Sequence, residues 1–390
     1  MTTPPASSPP PTPPSASSTP PPASSAPPPS SSTPPSLPPL ARIMQLATGG
    51  WVAQALSVAA TLGVADELAD GPRRVEDVAE AVGAHPDTLY RLLRALAGAG
   101  VFQELDGRRF APAPAGELLR SGVPGSLRDW LQWVGHPLPR QAWGALLESV
   151  RTGESAFERV HGTDVVAYVQ DRPQEAELFR RAMKTMTGQV IQAVVAAYDF
   201  GAFGTVVDVG GARGEFIAAA LAAEPKARGV FLDLPHLLAE ARETVREAGV
   251  ADRCELVAGD LRESVPPGGD AYVLFNVLHN WDDEQAVRIL ANCRTALGDR
   301  EEGRVLVSEV VLPDGPEPSL AAWIDLELLV IARTGTRQRT AREYRELCAR
   351  AGLRPVRTVP GPGTLQILEA AVTAGSAYGG GADRRTEDAS

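Results

Sequence analysis

The residues best suited to moving a proton stand at 279, in FNVLHNWDDEQA, and at 309, in SEVVLP. His279 closes an apolar run just before a helix start, and an imidazole with its ordinary pKa near 6.5 can accept a proton at neutral pH. Glu309 falls at the end of the next apolar run. Each has a plainer reading, a satisfied strand-end histidine and a surface strand-end acid. Asp282, with Gln285 three residues on, reads as the N-cap of EQAVRILANCRTAL and not as half of a metal pair with Asp283. A metal-dependent site would need a clustered set of acids and amides, so no metal is expected.

A second constellation lies upstream. VVDVGGARGEFIAAAL reads as strand, glycine turn and helix, with Asp208 near the strand end and Gly210, Gly211 and Gly214 around the turn. Glycines let the backbone approach a ligand, and the following helix offers N–H groups. The pattern is not G-x-G-x-x-G, because residue 212 is Ala. The next strand ends in Asp233, suited to a ribose diol, and the third ends in AGDL, placing Asp260 where it can accept from an adenine amino group. Singly, each Asp reads equally well as a helix cap. Together at one sheet edge they point to an adenosine-bearing ligand, and the acidic surround suits a cationic sulfonium better than a pyrophosphate.

From Thr205 onward, short β-rich runs alternate with helical ones, which predicts an α/β domain with a doubly wound, mostly parallel sheet. Late strands near PVRTVP and GTLQILEAAV complete it. Residues 199–374 form this domain, and 126–198 read as a helical connector. Residues 39–125 read as mainly helical, with the run from Trp51 closing as one helix before Gly71-Pro72. Asp87 caps the helix that carries Leu89, Leu92, Leu93 and Leu96, and a hairpin turns at Asp106-Gly107. Helix, turn, helix and hairpin make a winged-helix module. Arg91, Arg94, Arg108 and Arg109 would be its nucleic-acid footprint. They are thin cover in a chain of net charge −11, so dimerisation fits better than DNA reading. Residues 1–38, nearly all Pro, Ser, Thr and Ala, read as a disordered tail, and 375–390 as a flexible one. No apolar run reaches the roughly 18 residues of a membrane span. The three cysteines show no metal spacing, which is compatible with a reduced, cytoplasmic protein.

Taken in order, VDVGGARG, FLDLPH, GDL, NVLHNWDDEQAVRIL, SEVVLP and RQRT resemble the metal-independent, S-adenosylmethionine-dependent O-methyltransferases of small molecules, plant and bacterial. The resemblance runs from about Gln45 to Ala371. It implies a homodimer with a winged-helix dimerisation domain and a class I methyltransferase domain. The expected activity is methylation of a hydroxyl on an aromatic or polyketide-like molecule of secondary metabolism. His279 is then the general base and Glu309 its partner. Asp208, Gly210, Gly211, Asp233, Leu234, Asp260, Leu261, Phe275 and Thr187 are expected at the cofactor. Phe179, Met183 and Met186 of LFRRAMKTM, with Asp325 and Gln338, are expected at the acceptor, and Trp143 and Phe157 are weaker candidates there. No nucleic acid or membrane partner is implied. Three positions depart from the family pattern: Ala212 replaces a glycine, Phe275 a frequent lysine, and Gln338 a frequent glutamate. Other readings are N-methylation or an atypical hydroxylase or decarboxylase on the same fold, and a winged-helix regulator that senses a metabolite.

Overall fold

The computed structural model describes Met1 and residues 37–372. The expected N-terminal tail lies outside the described residues except for Met1 and residues 37–38, and the expected tail 375–390 lies wholly outside them. Helix Pro39–Ala47 leaves Leu40, Ile43, Met44 and Leu46 exposed.

Beyond it, the chain first builds helices Gly49–Leu62, Val64–Glu67, Val75–Ala81 and Pro86–Gly98. The run expected as one helix breaks at Gly63, whose φ of 73° is left-handed and ends the first segment. Asp87 is not the cap of the last helix. His85 holds that position with Pro86 at the first turn, and Asp87, one residue further in, pairs with Arg108 at 2.9 Å. Strands β1 (Arg73–Arg74), β2 (Phe102–Leu105) and β3 (Arg109–Pro112) form the antiparallel wing in the order β1-β3-β2. The expected hairpin is present, with Gly107 at φ 73° and Arg108 at φ 55°. Leu68, Leu89, Leu93, Leu96 and Phe110 fill the core of this module.

Six helices from Arg128–Val134 to Pro173–Ala197 make the connector. The sheet follows: β4 (Thr205–Val209), β5 (Arg228–Asp233), β6 (Cys254–Ala258), β7 (Ala271–Phe275), β8 (Arg304–Leu312), β9 (Arg339–Thr340), β10 (Leu353–Pro360) and β11 (Leu365–Val372). Their order is β10-β11-β8-β7-β4-β5-β6, with the two-residue β9 set against the end of β8. Strands β4 to β8 run parallel, while β11 and β10 are antiparallel at the edge. The apolar runs of β4 and β7 are buried on both faces, as strands covered by helices on each side must be. Helices Asp283–Leu297 and Ala341–Arg350 cover one face, and Glu215–Ala223, Leu238–Glu247 and the end of Pro173–Ala197 cover the other. The chain leaves β4 toward β5 and β6, then crosses back to β7. That reversal opens a crevice at the carboxyl ends of β4 and β7, where ligands of such sheets bind.

Candidate active site

Asp208, Asp233, Asp260 and Glu309 reach this edge, each for a local reason. The 3-10 turn Leu278–Asn280 follows β7, and Asp282 caps the helix after it by accepting the Gln285 N–H at 2.8 Å. That turn brings His279 over Glu309 of β8, which is fully buried. Both carboxylate oxygens meet the histidine. Oε2 lies 2.8 Å from ring Nδ1, and Oε1 accepts the His279 backbone N–H at 3.2 Å. A Nδ1–H donated to the carboxylate leaves Nε2 as the acceptor nitrogen, and the side chain is 14% exposed.

The glycine turn packs onto Asp208. This carboxyl is wholly buried and is pushed up to about 8 by burial and then by Asp233, with the Ile217 backbone N–H acting against them. A Cβ at Gly211 would overlap the Asp208 carboxylate, and one at Gly210 would come 2.8 Å from Leu261. Gly210 has φ 77°, and Ala212 also sits left-handed at φ 54°. The Ala212 N–H donates to Asp233 Oδ2 at 2.8 Å, while Leu234 N–H takes Oδ1 at 2.7 Å. Burial still raises Asp233 above the usual carboxylate range.

Asp260 differs from its two neighbours. Arg262 grips it through Nε at 3.0 Å and Nη2 at 2.5 Å, and this pairing lowers the Asp260 carboxyl. Arg262 also lies 5.0 Å over the Trp281 ring, which Arg333 faces at 5.1 Å. Leu261 is buried and Leu234 is 39% exposed. Phe275 belongs to the apolar core, stacked on Phe216 at 5.5 Å. Thr187 donates to the Met183 carbonyl at 2.9 Å and to Glu215 at 3.3 Å. Glu215, at the helix start after the glycine turn and paired with Arg213, had no distinguishing sequence signal.

On the acceptor side, Phe179 and Met183 pack into one cluster with Trp133, Trp143, Val330 and Ile331. Met186 lies apart from it, 40% exposed on the same helix. Phe157 is fully buried against His161 and Tyr168. Asp325 accepts the Gln338 backbone N–H at 2.7 Å, and buried Gln338 Oε1 has no partner among the described residues. Trp143 donates to Glu327 at 2.6 Å, and burial raises that carboxyl. Asp283 is bound by Arg337 and Arg339.

A doubly wound sheet with acids at three successive strand ends and a glycine turn beside a His–Glu pair is suited to a nucleoside-bearing ligand next to a proton acceptor. The chain belongs to the O-methyltransferase family: its O-methyltransferase domain matches over residues 143–354 and its O-methyltransferase dimerisation domain over residues 44–122. It is 42% identical over 335 residues to the phenazine O-methyltransferase PhzM of Lysobacter antibioticus, covering 86% of this chain and 97% of that protein. It is 38% identical to an 8-amino-8-demethylriboflavin N,N-dimethyltransferase of Streptomyces davaonensis, covering 83% and 93%. Among solved structures, it resembles the neocarzinostatin O-methyltransferase NcsB1 in complex with S-adenosylmethionine and 2-hydroxy-5-methyl naphthoic acid. That match has a TM-score of 0.68 at 34% identity over 83% of this chain and 96% of that one. The protein is therefore a methyltransferase that uses S-adenosylmethionine, built as a helical dimerisation domain followed by a mostly parallel sheet domain. The glycine turn, where a Cβ at Gly210 or Gly211 would collide with Leu261 or with the buried Asp208 carboxyl, fits the close backbone approach of such a ligand. Among the described residues, no helix is long and apolar enough to cross a membrane.

Proposed function

We propose that the protein methylates a hydroxyl of an aromatic or polyketide-like small molecule, with His279 as general base. The observation that carries this reading is the seating of Nδ1 on buried Glu309, which leaves Nε2 as a proton acceptor. S-adenosylmethionine, when bound, supplies an electrophilic methyl on its sulfonium. The acceptor hydroxyl gives its proton to Nε2 while Glu309 stabilises the imidazolium, a contribution of about 10² to 10⁴-fold. Holding oxygen in line with the methyl contributes at least as much.

In this reading Asp233 accepts from the ribose hydroxyls, and Asp260 accepts from the adenine amino group in exchange for part of its hold on Arg262. Asp208, Gly210, Gly211, Leu234, Leu261 and Phe275 complete the cofactor pocket, and Thr187 serves the amino-acid end. Phe179 and Met183 line the acceptor pocket, Met186 lies at its rim, and Asp325 and Gln338 close it. Residues 39–125 dimerise two copies, 126–198 shape the acceptor side, and 199–374 hold the cofactor. The free thiols Cys254, Cys293 and Cys348 suit the cytoplasm.

The test is incubation of the protein with methyl-labelled S-adenosylmethionine and a panel of phenols and hydroxynaphthoic acids that includes 2-hydroxy-5-methyl naphthoic acid. Products are analysed by mass spectrometry and NMR. An O-methyl product is expected, and exclusive transfer to nitrogen in a matched amine panel would overturn the hydroxyl assignment.

A further inference from the structure

Arg339 is the largest side chain fully buried among the described residues. A buried guanidinium is costly unless its N–H groups are satisfied, and an apolar side chain of similar volume often serves stability as well or better. The location of its partners therefore matters more than its burial. Nη1 donates to the Leu278 carbonyl at 3.0 Å, and Nη2 donates to the Trp281 carbonyl at 2.7 Å. Nε and Nη2 both reach Asp283 Oδ1, at 3.0 and 2.8 Å. The same segment takes the two carbonyls in between: Arg337 N–H donates to His279 O at 3.0 Å, and Arg333 Nη2 to Asn280 O at 3.2 Å. Four successive carbonyls, 278 to 281, thus accept from residues 333–339.

Glu309 holds His279 from beneath through its backbone N–H and Nδ1, and the 333–339 segment holds the turn through its carbonyls. Arg339 spans the turn, joining the carbonyl before His279 to the one two residues after it and to the helix start at Asp283, while Arg337 ties the His279 carbonyl alone to the same carboxylate. We propose that Arg339 is a positioning residue of the methyl transfer, fixing the His279 turn so that Nδ1 stays on Glu309 and Nε2 faces the acceptor. This deepens, and rests on, the reading of His279 as the base. Lysine keeps the charge but lacks the planar fork that meets two carbonyls and a carboxylate at once.

The experiment is ¹⁵N NMR of the histidine rings in the full chain saturated with S-adenosylhomocysteine, for wild type and R339K, with H279Q assigning the His279 signals. Wild type is expected to show a single neutral tautomer protonated at Nδ1, and R339K a mixture of both. With an acceptor that turns over, R339K is expected to lose about tenfold or more in kcat, while the acceptor KM and S-adenosylhomocysteine affinity hold. A folded R339K with one Nδ1-protonated tautomer and wild-type kcat would overturn the proposal even if H279A is inactive. If instead H279A turns over normally, the base reading fails, and the ring signals still decide whether Arg339 sets the imidazole. Should R339K not fold, D283N removes the charge of the guanidinium's partly exposed carboxylate partner and is read in the same way. A pure Nδ1-protonated tautomer in folded D283N then counts against the proposal.

Discussion

Glu309 engages His279 twice, through ring Nδ1 at 2.8 Å and backbone N–H at 3.2 Å, so one buried carboxylate sets both the tautomer and the height of the ring. Glu309→Gln keeps the volume but can present an NH₂ to Nδ1, which favours the wrong tautomer. The expected result is a fall in kcat of about 10² to 10⁴-fold, with unchanged S-adenosylhomocysteine binding by calorimetry. Unchanged turnover would remove Glu309 from the mechanism.

Asp208 makes the apo protein sensitive to pH. Its carboxyl titrates at about 8 when folded against an ordinary 3.8, so the native state binds a proton that the unfolded chain has released between those values. Stability from this group is complete below about pH 4, declines as pH rises toward about 8, and levels off above it. Asp208→Asn is expected to melt like wild type near pH 4 and above it near pH 8. Parallel melting curves across that range would show that the buried carboxyl is not held protonated.

Gly211→Ala places a methyl on the fully buried Asp208 carboxylate. Overpacking of this kind costs about 1–3 kcal/mol, read as a lower melting temperature. S-adenosylmethionine binding is expected to weaken with it. A variant with wild-type stability and affinity would show that the turn has room to spare.

Much of this arrangement was legible in the chain. Strand-end acids, the glycine turn and the Asp282 cap are local signals, and the structure puts Asp208 and Asp233 on the adjacent strands β4 and β5 and Asp260 in the loop just after β6. Local patterns could not show the break at Gly63, because its apolar spacing continues on both sides. Nor could they tell Asp233, which keeps backbone donors, from Asp260, which Arg262 grips. Arg339 was the hardest to read. In RQRT it looks like one of several loop cations, and only the pairing of β9 with the end of β8 carries it beneath the His279 turn. The exposed position of Met186, one turn from buried-side Met183, is likewise a matter of helix rotation against the connector.

The dimerisation domain predicts two copies in solution. Sedimentation equilibrium at micromolar concentration is expected to give twice the chain mass of 41.1 kDa. A monomer at that concentration would contradict the homodimer.

The most direct test of the whole account is the rate of methyl transfer to a hydroxylated aromatic acceptor by wild type and His279→Ala at neutral pH, with S-adenosylhomocysteine affinity measured on both. The account predicts an O-methylated product from wild type and a loss of about 10² to 10⁴-fold in kcat for the variant, with cofactor affinity intact. Wild-type turnover by a folded His279→Ala protein would contradict it.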